Sequence, residues 1–93
     1  MNFEWNPQKA EINYKKHHVS FEEASTVFGD VLSIAYPDID HSEQEDRYLI
    51  IGVSNKNRVL VISHTERENT IRIISARQAT KREQTFYEQR KFR

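Results

Sequence analysis

The 93-residue chain has no cysteine, two glycines, two prolines and one tryptophan. Without cysteine the fold cannot rest on disulfides or on thiolate zinc sites. With so few glycines and prolines there is no room for a glycine-rich phosphate loop or a flexible linker, and the residues read as one compact domain spanning 1–93. A domain of this size buries only somewhat more than ~60% of its unfolded surface. No long apolar run occurs, so neither a signal peptide nor a membrane span is expected, and the chain reads as cytoplasmic. Net charge is absent too: 14 Lys and Arg balance 14 Asp and Glu. That balance is uneven along the chain. Residues 1–40 carry three bases against seven acids, whereas residues 67–93 carry eight bases against three. A basic C-terminal third suits a polyanionic partner.

Asn6 followed by Pro7 predicts an N-cap and first helical residue, opening a helix to about His17 with Ala10, Tyr14 and His17 on one stripe. Ser20-Phe21-Glu22-Glu23 is a capping box starting a second short helix that buries Phe21, Ala24, Val27 and Phe28 and ends at Gly29. Four strands follow in the β-branched segments 31–36, 47–53, 58–65 and 70–75, with short connections that make neighbours antiparallel. Thr80-Lys81-Arg82-Glu83 is a further capping box and begins a C-terminal helix running to about Lys91, with Phe86 docking it on the body. The expected fold is α+β: two N-terminal helices, a four-stranded mainly antiparallel sheet and a C-terminal helix. If both hairpins have four-residue loops, Leu49, Ile62 and Ile73 line up on one face. Tyr48, Ser63 and Arg72 then line up on the other as an open polar platform.

The chemically dense stretch is Ile71 to Arg77, entered through His64-Thr65-Glu66-Arg67. Arginines on and beside a rigid strand match phosphate oxygens and keep their charge. The loop containing Asp38, Asp40, His41, Glu43, Glu45 and Asp46 gathers oxygen ligands, but it has neither EF-hand spacing nor a glycine at its turn. No metal site and no cofactor are assigned. His41 in that loop can titrate near neutral pH.

Several separated segments together resemble the BrnT toxins of bacterial type II toxin–antitoxin modules. They are Phe3-Glu4-Trp5-Asn6-Pro7, Lys16-His17 with Val19-Ser20-Phe21-Glu22-Glu23-Ala24, His41-Ser42-Glu43 with Glu45 and Arg47, His64-Thr65-Glu66-Arg67, and Arg72-Ile73-Ile74-Ser75-Ala76-Arg77-Gln78-Ala79. One departure is His18, where the family commonly has glycine. The resemblance implies a RelE-like fold, RNA cleavage that arrests translation and growth, and neutralisation by a BrnA-like antitoxin in a heterotetramer that touches DNA only through the antitoxin.

Cleaving RNA without metal needs a base for the 2′-hydroxyl, cations for the phosphorane and an acid for the 5′-oxygen. Arg77, Arg72 and Arg67 are assigned to the phosphate, and Arg77, just past its strand, is expected to reach a phosphate at the N-terminus of the last helix. Glu66, His64, His41 and Glu83 are candidate proton carriers, and Tyr87 a candidate acid or stacking platform. Tyr48, Lys81, Arg82 and Arg47 are assigned to RNA binding. The alternative is a non-catalytic RNA- or partner-binding module on the same fold.

Overall fold

A computed structural model describes residues 1–41 and 46–91, without the side chains of His41 and Lys91. Strands β1 (Asn2–Glu4), β2 (Ile34–Pro37), β3 (Arg47–Val53), β4 (Val59–Arg67) and β5 (Thr70–Gln78) form one sheet in the order β1-β5-β4-β3-β2. The sheet is five-stranded and mixed rather than four-stranded. The addition is β1, which pairs in parallel with β5 from Asn2 opposite Thr70 to Glu4 opposite Arg72. Three residues carry too little pattern to be read as a strand; pairing with a long neighbour makes them one.

Helix α1 (Pro7–His17) begins as expected, with the Asn6 side chain accepting from the backbone N–H groups of Gln8 at 2.8 Å and Lys9 at 3.2 Å. It ends at His18, whose φ of 57° places it in the left-handed region where the family's glycine would sit without strain. Its buried contact differs from the expected stripe. Tyr14 is exposed, and Asn13 is the buried residue. The Asn13 amide donates to the carbonyls of Ala76 at 2.9 Å and Val19 at 3.0 Å, and its oxygen accepts from the Ala76 N–H at 3.1 Å. One side chain thus satisfies the edge of β5 beyond the reach of β1.

Helix α2 (Phe21–Thr26) is capped by Ser20, which accepts from the Glu23 N–H at 3.0 Å, and a turn of 3-10 helix follows at Val27–Gly29. Phe21, Ala24 and Val27 pack with Val19, Ile50, Leu60, Ile62, Ile71, Ile73 and Ala76 to form the core on this face of the sheet. Helix α3 (Lys81–Lys91) covers part of the opposite face, where Tyr87 and Ala79 pack with Ile51 and Val61. Tyr87 anchors it and Phe86 is half-exposed, the reverse of the expected docking. The Tyr87 hydroxyl donates to Asp30, whose carboxylate also accepts from the backbone N–H groups of Val53 at 2.8 Å and Leu32 at 2.9 Å. Gly52 permits this approach, because a Cβ there would lie 3.1 Å from the Asp30 carboxylate and 3.0 Å from Val27.

The expected register does not hold. The β3–β4 connection spans five residues and the β4–β5 turn only two, Glu68 and Asn69, so the pairs are Tyr48 opposite His64, Leu49 opposite Ser63 and Thr65 opposite Arg72. Ile62 and Ile73 face α1 and α2 as expected, but β3 is out of phase by one residue. Tyr48 therefore lies on the core face with Ile62, and Leu49 lies on the face that carries Arg72. A bulge also intervenes. Ser63 pairs with Ser75 and His64 with Ile73, so Ile74 is the extra residue, and the bulge keeps Ile73 and Ala76 both buried. The second face is not a bare polar platform, since α3 and its apolar partners occupy much of it.

Candidate functional site

The cross-strand row at the end of the sheet that α3 leaves uncovered carries Arg47, Thr65 and Arg72 in register, with Glu4 of β1 beside Arg72. Arg72 and Glu4 form an ion pair at 3.3 Å, and both side chains are about half exposed. Around the β4–β5 turn, Glu66, Arg67 and Arg72 line one open depression with Glu4, Asp46, Thr65, Glu68 and Thr70. Three of the expected site residues therefore border it: Arg67 and Arg72 from the face of Thr65, and Glu66 from the opposite face, where it pairs with buried Ile71 at the rim of the sheet. Thr65 and Arg72 share a face because they pair directly, and the tight turn at Glu68, whose φ is 56°, brings Arg67 back beside Thr70.

Arg77 occupies a second position further along β5. Its guanidinium grips Glu83 in a bidentate pair of 2.7 and 3.0 Å. Glu83 is the last residue of the expected capping box: its carboxylate accepts from the Thr80 N–H at 2.9 Å, and the Thr80 hydroxyl accepts from the Glu83 N–H at 3.2 Å. The N-terminus of α3, expected to receive a phosphate, thus already holds a carboxylate. Arg77, then the Thr80 amide, holds the Glu83 acid down to about 2, so it stays ionised at neutral pH and is removed from the proton carriers. Tyr36 stands close to this pair. Burial, then the Glu83 charge, raises its hydroxyl, with Arg77 opposing. Tyr36 was legible only as a strand residue; its pairing opposite Leu49 puts it on the face of Arg72 and Arg77.

Other expected residues go elsewhere. His64 is 1% exposed and lies on the core face, its ring 4.9 Å from Phe28 and 6.0 Å from Tyr48. It is sealed from the Arg72 face by the sheet itself. Tyr87 is 1% exposed and held by Asp30, with its hydroxyl pushed up to about 12 chiefly by burial, so it offers no surface for stacking. Tyr48 is half-buried on the core face, while Lys81 and Arg82 are exposed at the start of α3. Arg47 is half-buried in the open row. The backbone of His41 closes a turn of 3-10 helix at Ile39–His41, whereas its side chain and residues 42–45 lie outside the described residues, and with them Glu43 and Glu45 of the acidic loop. Among the described residues no three His, Cys, Asp or Glu side chains converge as metal ligands, and no helix is long and apolar enough to cross a membrane.

The buried His64 yields an expected pH dependence. Among the described residues its Nδ1 has no hydrogen-bond partner, and burial lowers its pKa below the ordinary histidine value against the opposing pull of Glu66 and of an Ile62 backbone bond. The folded protein therefore holds the neutral ring while the unfolded chain takes up a proton. Stability is fully present above the unfolded histidine pKa of about 6.5 and is lost as pH falls below it. The thermal midpoint should drop between pH 7 and pH 5. His64→Leu should flatten that drop while staying within about 1.5 kcal/mol of the parent at pH 7, since it replaces a ring with one unpartnered buried nitrogen by an apolar side chain.

The architecture is that of a small α+β domain, a five-stranded mixed sheet with helices on both faces. A crystal structure of the Brucella abortus ribonuclease toxin BrnT superposes with a TM-score of 0.67, covering 87% of this chain and 99% of that one at 20% identity. No curated protein sequence matches this chain. The sequence model described as "Ribonuclease toxin, BrnT, of type II toxin-antitoxin system" matches residues 5–83. The chain belongs to the BrnT family of ribonuclease toxins of type II toxin–antitoxin systems.

Proposed function

We propose that this chain cuts RNA without a metal ion, in the manner of RelE-type ribonucleases, at the open end of the sheet. The observation that carries this reading is the depression shared by Glu66, Arg67 and Arg72. A phosphodiester laid there meets two guanidinium groups that spread the charge developing on the phosphorane, the work a divalent cation would otherwise do. Glu66 is the group we assign to accept the 2′-hydroxyl proton. Arg47 and Thr65 continue the row and position the backbone of the RNA, with Lys81 and Arg82 adding charge at the start of α3. Arg77 and Tyr36 contribute as a positioned pair beside the site, because Glu83 already occupies the Arg77 fork. His41 keeps its assignment as a second proton carrier. The activity belongs in the cytoplasm, where a BrnA-like antitoxin neutralises it in a heterotetramer whose only DNA contact is through that antitoxin.

Expressed alone, the chain should arrest growth of a bacterial host, and co-expression of the protein encoded in the adjacent reading frame should restore it. The purified chain should cleave RNA in EDTA. Cleavage restored only by added divalent metal would sink the metal-free mechanism. Tight RNA binding with no cleavage under either condition would leave the non-catalytic module.

A further inference from the structure

We propose that the groove between α1 and β5 is the docking surface for an acidic amphipathic segment of the antitoxin, a placement that rests on the toxin–antitoxin reading above. Ile12 is 64% exposed on α1 and faces a groove whose opposite wall is Ile74, the bulged residue of β5. Lys9, Lys16 and His17 stand around that apolar floor. Neither lysine forms an ion pair among the described residues; the lysine pairing on α1 is Lys15 with Glu11 at 3.2 Å. Two apolar side chains flanked by two lysines, with no ion pair to either lysine and no carboxylate lining the groove among the described residues, match a partner presenting apolar residues flanked by Asp or Glu.

The edge of β5 strengthens this assignment. β4 pairs with one side of β5 here; on the other side β1 pairs only from Thr70 to Arg72 and Asn13 satisfies Ala76, so among the described residues no strand lies along that edge at Ile73 to Ser75. An incoming segment meets a strand edge with no described strand alongside it, next to the apolar floor. The volume, about 210 Å3, is below the ~300 Å3 from which small-molecule sites usually start and suits one or two side chains of a peptide. RNA fits it less well than protein, since an exposed isoleucine floor adds nothing to phosphate binding and no arginine lines the groove. Position accounts for inhibition. Ile74 lies on the same strand as Arg72 and Arg77, within roughly 10 Å of either at ~3.3 Å per residue, so a segment seated here and continued over the edge blocks RNA from the arginine face.

The experiment uses the full chain with the protein encoded in the adjacent reading frame, co-expressed and co-purified. Lys9→Glu with Lys16→Glu, and separately Ile12→Asp, should weaken the complex by about tenfold or more, measured by titration after separating and refolding the partners. These exposed substitutions should leave the thermal midpoint and RNA cleavage of the free toxin near the parent values, and Val31→Asp, at an exposed apolar residue elsewhere, should leave the complex unchanged. Amide exchange should slow in α1 and at residues 73–75 on complex formation. A complex within about twofold of parental affinity for both groove variants overturns the docking proposal alone. So does weakened RNA binding with the complex intact, which would make the groove an RNA surface. Failure of the parent chain to form any complex overturns the antitoxin reading and the docking proposal with it.

Discussion

Arg72→Ala should keep the parent thermal midpoint while cutting RNA more slowly by about 10²–10³-fold, the loss associated with removing one charged donor from a developing oxyanion. The half-exposed ion pair to Glu4 at 3.3 Å holds the guanidinium only weakly. Pairs of this kind contribute about 0–1 kcal/mol, so a phosphate can displace the carboxylate without much resistance. Arg72→Lys keeps the charge but loses the planar fork, and should recover only part of the rate. Arg77→Ala is expected to behave differently. Its guanidinium is committed to Glu83 at the head of α3, and removing it should lower the stability by about 1 kcal/mol, and the thermal midpoint with it, after allowing for solvent at the partly exposed pair, with a smaller loss of rate than Arg72→Ala. Single-turnover cleavage and thermal unfolding measured together on both variants decide the matter. If Arg77→Ala proves the slower enzyme at an unchanged midpoint, the phosphate sits at the end of β5 and Glu83 must move away to admit it.

The contrast between these arginines shows which level of the structure was readable in the residues. The caps were readable, because they depend on spacing alone: Asn6-Pro7, Ser20 to Glu23 and Thr80 to Glu83 each start a helix where their spacing says. The phase of β3 was not, because it depends on the length of a loop that no residue in β3 encodes. One residue of difference at the β3–β4 connection moved Tyr48 to the core face and Leu49 to the other, and the bulge at Ile74 shifted β5 again. His64 is a different case, since its spacing of two from Ile62 puts it on the core face in either register. An imidazole beside two charged residues looks like chemistry in sequence, yet its pairing with Tyr48 and Ile73 places it under Phe28. The partners of long side chains were equally hidden. Glu23 has the spacing of a capping-box glutamate, but its carboxylate turns away from the Ser20 backbone toward the β3–β4 connection.

That turn leads to the largest stability effect expected in the molecule. Glu23 is 3% exposed, and Arg58 reaches it through its Nε at 3.0 Å and through a second, shorter bond from Nη2. Ser54 donates to the same carboxylate at 2.6 Å, and Arg58 also donates to the His18 carbonyl at 3.0 Å. The cluster ties α2 and the end of α1 to the β3–β4 connection, elements separated by more than thirty positions in the chain. Arg58→Ala leaves a desolvated carboxylate with one hydroxyl as its remaining donor. Removing one partner of a buried pair costs about 3–5 kcal/mol; because the Arg58 side chain is 27% exposed and water can fill part of its place, about 3 kcal/mol is the expected loss. For a domain of this size that lowers the thermal midpoint by roughly 10–20 °C. The pH dependence identifies the cause. In the parent, Arg58 holds Glu23 below the usual carboxylate range against the opposing effect of burial, so this stabilisation is present above about pH 4.5 and is lost as pH falls further. In Arg58→Ala the burial remains without the guanidinium, Glu23 prefers to be protonated, and acidification relieves the variant while it weakens the parent. The gap between the two should therefore narrow from pH 7 to pH 4 in urea unfolding. Glu23→Leu combined with Arg58→Leu removes both charges and should recover most of the loss at pH 7. A gap that stays constant with pH would mean that the Arg58 side chain stabilises by packing along its alkyl stem rather than by neutralising Glu23.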